Sequence, residues 1–291
     1  MKRKCPICGE EAHFYFEKFQ RKIFSCQTCG LKFVWPIPKP KEIEFFYRQY
    51  WQKKSFRGEK ALGYLSYLAE KESFLDYFQK VFRQINLLPG RVLDIGCGPG
   101  FFLKIAQKNG WQVWGLDLSA EAVTQARKIL KTRRIYQQTL EKSKFLPNFF
   151  DLVTIFQTIE HVENPLLLLK KVRKILKPKG VLLLTTPNAS GWQAKIMGQR
   201  WFSYRHPDHF WFFSQKSLEI LLKKAGFVKI KKGKDPARVY ELGWLLEILP
   251  YYLKGKFWQE LSRGLKIVLG KGKKIKIPFP LDSLLVFAQK E

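Results

Sequence analysis

A run of apolar residues that closes on three tightly spaced glycines, Val92-Leu-Asp-Ile-Gly-Cys-Gly-Pro-Gly100, is the stretch best equipped for chemistry. Glycines at 96, 98 and 100 leave backbone N–H groups uncovered where a strand turns into a helix, and such a turn can cradle a ligand. A dinucleotide site reads G-x-G-x-x-G. Here the third glycine comes one residue early, Phe101 takes the sixth position, and Asp94 stands two residues before the first glycine. Alone, such a turn is a weak signal, with a plain strand-to-helix connection as the alternative. A second carboxylate adds to it: Gln112-Val-Trp-Gly-Leu-Asp117 reads as the next strand and ends 17 residues beyond Gly100. An acidic side chain there can accept both hydroxyls of a ribose.

The other group with metal-ligand spacing lies at the N-terminus. Cys5-x-x-Cys8 and Cys26-x-x-Cys29 are two knuckles, each followed by a glycine and separated by 17 residues that include Phe14, Tyr15, Phe16 and Phe24. Four thiolates so spaced suit tetrahedral zinc in a ribbon, and a closed four-cysteine site has a structural rather than a chemical role. No secretory signal argues for disulfides, and the fifth cysteine, Cys97, lies inside the glycine turn.

The spacing of Asp94, Gly96, Gly98, Gly100 and Asp117 resembles that of class I S-adenosylmethionine-dependent methyltransferases. The order of elements agrees: strand Phe150–Phe156, a loop Gln157 to Pro165, a helix ending near Lys177-Pro-Lys-Gly180, and strand Val181–Pro187. The resemblance implies an α/β, Rossmann-like, doubly wound seven-stranded sheet. It also implies S-adenosyl-L-methionine as cofactor, with the glycine turn at the methionyl part and Asp117 at the ribose; Leu118, Leu140 and Gln157 are expected at the cofactor as well. Many relatives carry an acidic residue after the third strand for the adenine amino group. The counterpart here is Thr139, which leaves Glu141 or a backbone group for that task.

Catalytic candidates come from two loops expected beyond the carboxyl ends of the strands, where open α/β sheets bind ligands. Glu160-His161 resembles ubiquinone-type O-methyltransferases, some of which hold a divalent metal with this pair and an acidic residue three positions earlier; Gln157 at that position lacks the charge. His161 is a candidate general base, with capping of the next helix as the alternative. The second loop, Asn188 to Ser214, holds Trp192, Trp201, Tyr204, Arg205, His206, Asp208, His209 and Trp211. Loops of this length inside a compact domain are often binding loops. His209 is a second candidate base, Arg205 a candidate anion contact, and His206, Asp208 and His209 read as a hydrogen-bond cluster.

These groups need a frame. A chain of 291 residues can bury a full α/β core without covalent staples. The organisation expected is a ribbon and stiff connector over 1–40, lid helices over 41–88 and a methyltransferase domain over 89–291 with insertions at 188–214 and 233–282. The lid helices show apolar residues at helical spacing (Ile43, Phe46, Tyr47, Tyr50, then Leu65, Leu68, Phe74, Phe78, Phe82), with Tyr47 and Tyr50 as candidate ligand contacts. No run of about 20 apolar residues spans a membrane and no apolar leader opens the chain, which predicts a cytoplasmic protein.

The formal charge is +29, from 53 basic and 24 acidic residues. It points to an anionic acceptor or surface, or simply to a basic composition spread along the chain. Apolar residues flanked by lysines over 239–276 fit a helix lying on an anionic membrane, placing the protein at the inner membrane face, or helices packed on the domain or a partner subunit. The function expected is methyl transfer, chiefly to oxygen, on a small-molecule, sugar or lipid-linked acceptor. The alternative is an RNA methyltransferase with the ribbon and basic surface on nucleic acid. That alternative lacks an Asn-Pro-Pro-Tyr or Asp-Pro-Pro-Tyr motif and a spare cysteine for cytosine attack.

Overall fold

The computed structural model of the chain describes residues 1–39, 42–43, 55–56, 59–60, 71–205, 208–241, 260–261, 264–265, 276–279 and 282–291. Strands β1 (Lys2–Lys4), β2 (Glu11–Lys18), β3 (Arg21–Cys26) and β4 (Lys32–Trp35) open it, followed by helix α1 (Lys71–Phe82). The α/β region then runs β5 (Arg91–Ile95), α2 (Phe101–Lys108), β6 (Gln112–Asp117), α3 (Ala120–Leu130), β7 (Ile135–Gln137), β8 (Phe150–Phe156), α4 (Pro165–Ile175) and β9 (Leu176–Pro187). Helix α5 (Trp192–Met197), strand β10 (Trp211–Phe212), α6 (Gln215–Lys224), β11 (Phe227–Lys232) and β12 (Ser283–Lys290) complete it.

Seven of these strands form one sheet in the order β11-β12-β9-β8-β5-β6-β7, as expected for the doubly wound fold. Strands β5 to β9 run parallel, while β12 inserts antiparallel between β9 and β11. Parallel strands covered on both faces must be apolar throughout, which is why Phe-Asp-Leu-Val-Thr-Ile-Phe of β8 and Leu182 to Leu184 of β9 show no alternation. The helices start where short polar side chains cap them. Ser119 accepts from the Ala122 amide at 3.2 Å, Asn164 from the Leu167 amide at 3.0 Å with Pro165 following, and Ser214 from the Ser217 amide at 3.0 Å. Helix α2 has no side-chain cap: Gly100, at φ 78°, opens it.

Chain connections leave β5 toward β6 on one side and β8 toward β9 on the other, so β5 and β8 flank the topological switch point. Their pairing sets Thr154 beside Asp94. The glycine turn and the Glu160-His161 loop therefore leave the sheet next to each other.

Two features differ from expectation. Strand β9 begins at Leu176 rather than Val181, because the ladder pairs Leu176 with Phe150 and Val181 with Leu152, and residues 177–180 bulge between, with Lys179 at φ 60°. The 188–214 segment is no free binding loop. Its β10 pairs with β4, making the ribbon sheet five-stranded in the order β1-β2-β3-β4-β10, and Trp201 and Tyr204 are buried with Phe16, Val34 and Phe212. Helix α1 is a core helix, its Phe78 ring meeting those of Phe156 at 5.0 Å and Phe102 at 5.8 Å. Tyr47, Tyr50 and most of 239–276 lie outside the described residues. At the base of that insertion Arg238–Glu241 pairs antiparallel with Lys276–Phe279. Among the described residues no helix is long and apolar enough to cross a membrane.

Gly115, in β6, leaves room for the turn: a Cβ there would stand 2.8 Å from Cys97 Sγ and 3.0 Å from Ile135 and Leu103 methyls. Gly115→Ala is expected to cost roughly 1–3 kcal/mol in urea unfolding, the range for overpacking a filled core. Adding Cys97→Ala should return part of that loss.

Candidate functional site

The turn after β5 is built by left-handed glycines, at φ 74° for Gly96, 50° for Gly98 and 78° for Gly100. A side chain at Gly96 would run into the Thr158 hydroxyl, so the β5 turn and the loop after β8 touch at that point. The Gly96 and Cys97 amides donate to the Leu116 carbonyl at 2.8 and 3.0 Å, locking the turn against β6. Asp117, at the end of β6, accepts from the Gly98 amide at 2.8 Å and the Ser119 amide at 2.9 Å. The two predicted carboxylates are thus brought to one end of the sheet. Asp94 is buried and accepts from the Thr154 hydroxyl at 2.7 Å. Burial pushes it up to about 8 against that hydrogen bond, with the Asp117 charge adding to the rise. Burial likewise raises Asp117, opposed by its amide donors.

Leu118 follows half-buried, its carbonyl accepting from Gln137 Nε2 at 3.2 Å. Leu140 is buried at the start of a short 3-10 turn over Leu140–Lys142. Gln157 takes a left-handed φ of 46° and turns its amide nitrogen back to the Thr185 hydroxyl at 3.3 Å. All of the predicted donor-side residues thus gather at the carboxyl ends of β5 to β8.

Beside them lies a second polar group. Glu160 is fully buried; Oε2 accepts from the Thr186 hydroxyl at 3.0 Å, while Oε1 has no hydrogen-bond partner. His161 Nδ1 stands 3.0 Å from the Asp208 carbonyl and 3.1 Å from Asp208 Oδ2, and Nε2 stands 4.0 Å from Glu160 Oε1. The buried His209 ring meets His161 edge to face, centroids 4.6 Å apart. Burial alone would depress His161, but the Asp208 charge and hydrogen bond, with Glu160, lift it to about 9. Burial raises Glu160 to about 6 against the His161 charge. One ligand atom each from Glu160, His161 and His209 lie within 4.8 Å of one another.

Both histidines singled out in the sequence therefore meet. Asp208 as the partner of His161 was not anticipated: its neighbours in sequence suggested a cluster with His206, which lies outside the described residues, as does the Arg205 side chain. The 47-residue separation hides that pairing from any local pattern.

In the ribbon, Cys5 Sγ stands 3.6 Å from Cys29 Sγ and Cys8 Sγ 3.5 Å from Cys26 Sγ, with all four sulfurs within 4.8 Å. Sulfurs about 2.3 Å from a tetrahedral zinc would be just under 4 Å apart, so the set fits one ion. The hydrogen bond between Cys5 and Cys29 pulls Cys5 down and, with burial, pushes Cys29 up.

Comparison with known proteins agrees with this geometry. A family model described as a methyltransferase domain matches residues 64–232, more than half of the chain. The chain belongs to that family. It is a methyltransferase of the S-adenosylmethionine-dependent kind. It is 35% identical over 119 residues to the mitochondrial ubiquinone biosynthesis O-methyltransferase of Schizosaccharomyces pombe, covering 38% of this chain and 43% of that protein. It is 34% identical over 124 residues to the ubiquinone biosynthesis O-methyltransferase of Actinobacillus pleuropneumoniae, covering 39% and 52%. The chain spans about half the length of the curated relatives it matches. Among solved structures, an S-adenosylmethionine-dependent methyltransferase from Thermotoga maritima superposes with TM-score 0.54 at 18% identity, covering 86% of this methyltransferase and 99% of that chain. Phosphoethanolamine N-methyltransferase 2 of Haemonchus contortus, in complex with S-adenosyl-L-methionine, gives 0.54 at 17% identity, covering 95% and 71%. These two likenesses share the fold.

Asp94 makes stability depend on pH. Its carboxyl is held above the unfolded value, so its contribution is present below about pH 4 and is lost as pH rises through about 8. Asp94→Asn keeps the acceptor for Thr154 and removes the titration. Urea unfolding should find the variant close to wild type near pH 4 and increasingly more stable than wild type as pH rises toward 8, with the gap constant above that.

Proposed function

We propose that this methyltransferase O-methylates a small-molecule, sugar or lipid-linked acceptor, with the glycine turn and Asp117 on the donor side and the Glu160-His161-Asp208-His209 cluster on the acceptor side. The observation that carries the proposal is the meeting of these two groups at the switch point between β5 and β8, together with the ubiquinone-type relatives. Bound S-adenosylmethionine supplies an electrophilic methyl group. The glycine turn that opens α2 and the Asp94 carboxyl suit its methionyl end, Asp117 its ribose, and Leu118, Leu140 and Gln157 complete the cofactor site. His209 takes the proton of the acceptor hydroxyl. His161 is held charged by Asp208 and Glu160, so its part is to orient His209 and steady the acceptor oxygen.

The same cluster supports a second reading, favoured by the buried, unpartnered Glu160 Oε1: a divalent cation held by Glu160, His161 and His209, with His209 standing in for the missing acid at Gln157. Such an ion would polarise the acceptor hydroxyl. In the ribbon, Cys5, Cys8, Cys26 and Cys29 hold one structural zinc.

Calorimetry should find S-adenosylmethionine binding that tightens as pH rises toward 8, because the cationic ligand draws the proton off Asp94; Asp94→Asn should flatten that slope. Incubation with methyl-labelled cofactor and fractionated extracts should put label into lipids or soluble metabolites as a methyl ether, and label in RNA alone would overturn the acceptor class. With that acceptor, His209→Ala should lower kcat about 100-fold or more while leaving cofactor affinity intact. Metal analysis separates the two readings of the cluster: one ion per chain supports His209 as base, two support the cation.

A further inference from the structure

The segment from Asp208 to Ser214 is bonded on one side to the ribbon and on the other to the Glu160-His161 loop. Toward the ribbon, Trp211 pairs with Phe33 and Phe212 with Lys32, the Val34 amide donates to the Phe210 carbonyl at 2.9 Å, and the Ser214 hydroxyl donates to the Cys29 carbonyl at 2.5 Å. The Arg21 guanidinium of β3 lies over the Phe210 ring, 5.3 Å from its centroid. Toward the loop, the Phe210 amide donates to the Glu160 carbonyl at 2.8 Å and the Trp211 indole N–H to the Val162 carbonyl at 2.7 Å. Asp208, at the head of the segment, is the residue that clasps His161.

We infer that the metal-bound ribbon is a working part of the acceptor site, a clamp that holds Asp208 and His209 in register with Glu160 and His161. Cys29 is the joint. It is one of the four sulfur ligands, and its carbonyl receives the hydroxyl of Ser214, which also caps α6. Ordering the knuckle around zinc orders that carbonyl, which fixes Ser214 and with it the end of the 208–214 segment. Space at the joint is tight: a Cβ on Gly30, the residue after Cys29, would meet the Ser214 side chain at 3.0 Å. The donor side depends on other bonds, those of Gly98 with Asp117 and of Thr154 with Asp94 and the β5–β6 ladder. Ser214 is a positioning residue: it acts through the backbone of this segment. The inference rests on the cluster being the acceptor side and on the sulfurs holding zinc, but its test needs no acceptor.

The experiment uses the full chain, labelled with nitrogen-15, with zinc content measured before and after chelation. The Trp211 indole proton reports on the seam, because its exchange with solvent requires the segment to leave Val162. Chelation, and separately Ser214→Ala, should each speed that exchange about tenfold or more while the dissociation constant for S-adenosylmethionine stays within about threefold, the pattern of local rather than global opening. Ser214→Thr, which keeps the hydroxyl, should lie nearer wild type. Unchanged Trp211 exchange in both the stripped protein and Ser214→Ala would overturn the inference, as would a loss of cofactor affinity parallel to the loss of protection. A chain found to carry no zinc would sink the metal reading, leaving the Ser214 variants to decide the clamp by themselves.

Discussion

The peptide groups of Phe210 join the two parts of this molecule: its N–H is bonded to the Glu160 carbonyl of the α/β domain and its C=O to the Val34 amide of the ribbon. A backbone group buried without a partner costs about as much as a lost hydrogen bond, so neither side can draw away cheaply. The Glu160-His161-Asp208-His209 cluster is organised around that residue. Asp208 and His209 precede it by two residues and one, Trp211 follows and bonds to Val162, and the Phe210 ring is buried at 1% exposure beneath Arg21. The ribbon is therefore no appendage on a linker. Its sheet is completed by a strand from the α/β region, and both share one apolar cluster in which Phe24 and Phe33 adjoin Trp211 and Phe213.

Two carboxylates and an imidazole packed out of water are costly unless they neutralise one another. Here His161 sits between Asp208 and Glu160, and the arrangement holds because both acids face one cation while Thr186 takes the outer oxygen of Glu160. The donor side solves the same problem differently. Asp94 faces the Thr154 hydroxyl and the like charge of Asp117, and burial raises its carboxyl to about 8.

How much of this was legible in the sequence follows from how far apart the interacting residues lie. The donor side spans Asp94 to Asp117, two strands and one turn, and its chemistry is local: glycines that must go left-handed, a carboxylate at a strand end, and strands whose unbroken apolar runs announce burial on both faces. The four cysteines were legible for a similar reason, since each knuckle is a turn that needs only its own Cys-x-x-Cys-Gly. The acceptor side was half legible. His161 and His209 stood out by type, yet the strand Trp211–Phe212 is two residues long with aromatics on both positions, and no periodicity distinguishes it from a loop. Trp201 and Tyr204 read as pocket residues because large aromatics in a long insertion often are; their burial against Phe16 comes from the ribbon, 185 positions or more away.

That asymmetry bears on how the site is stabilised. Local turns and ladders of β5, α2 and β6 form with short loop closures, so the donor side can be ordered by the α/β sheet alone. The acceptor side needs contacts over 47 residues for His161 with Asp208, and over 185 for Ser214 with Cys29, and each must offset the ordering of a long segment. Burial supplies much of that offset, through Trp201, Phe210 and Phe213, all within 1% of full burial. The remainder falls to directional bonds at the seam, which fix the register that burial alone leaves loose. A one-residue slip of Trp211–Phe212 on β4 would exchange the faces of its two aromatics, taking Trp211 from Val162 and Asp208 from His161 together. The seam between ribbon and sheet is thus where apolar packing and the geometry of the Glu160-His161-Asp208-His209 cluster become one constraint.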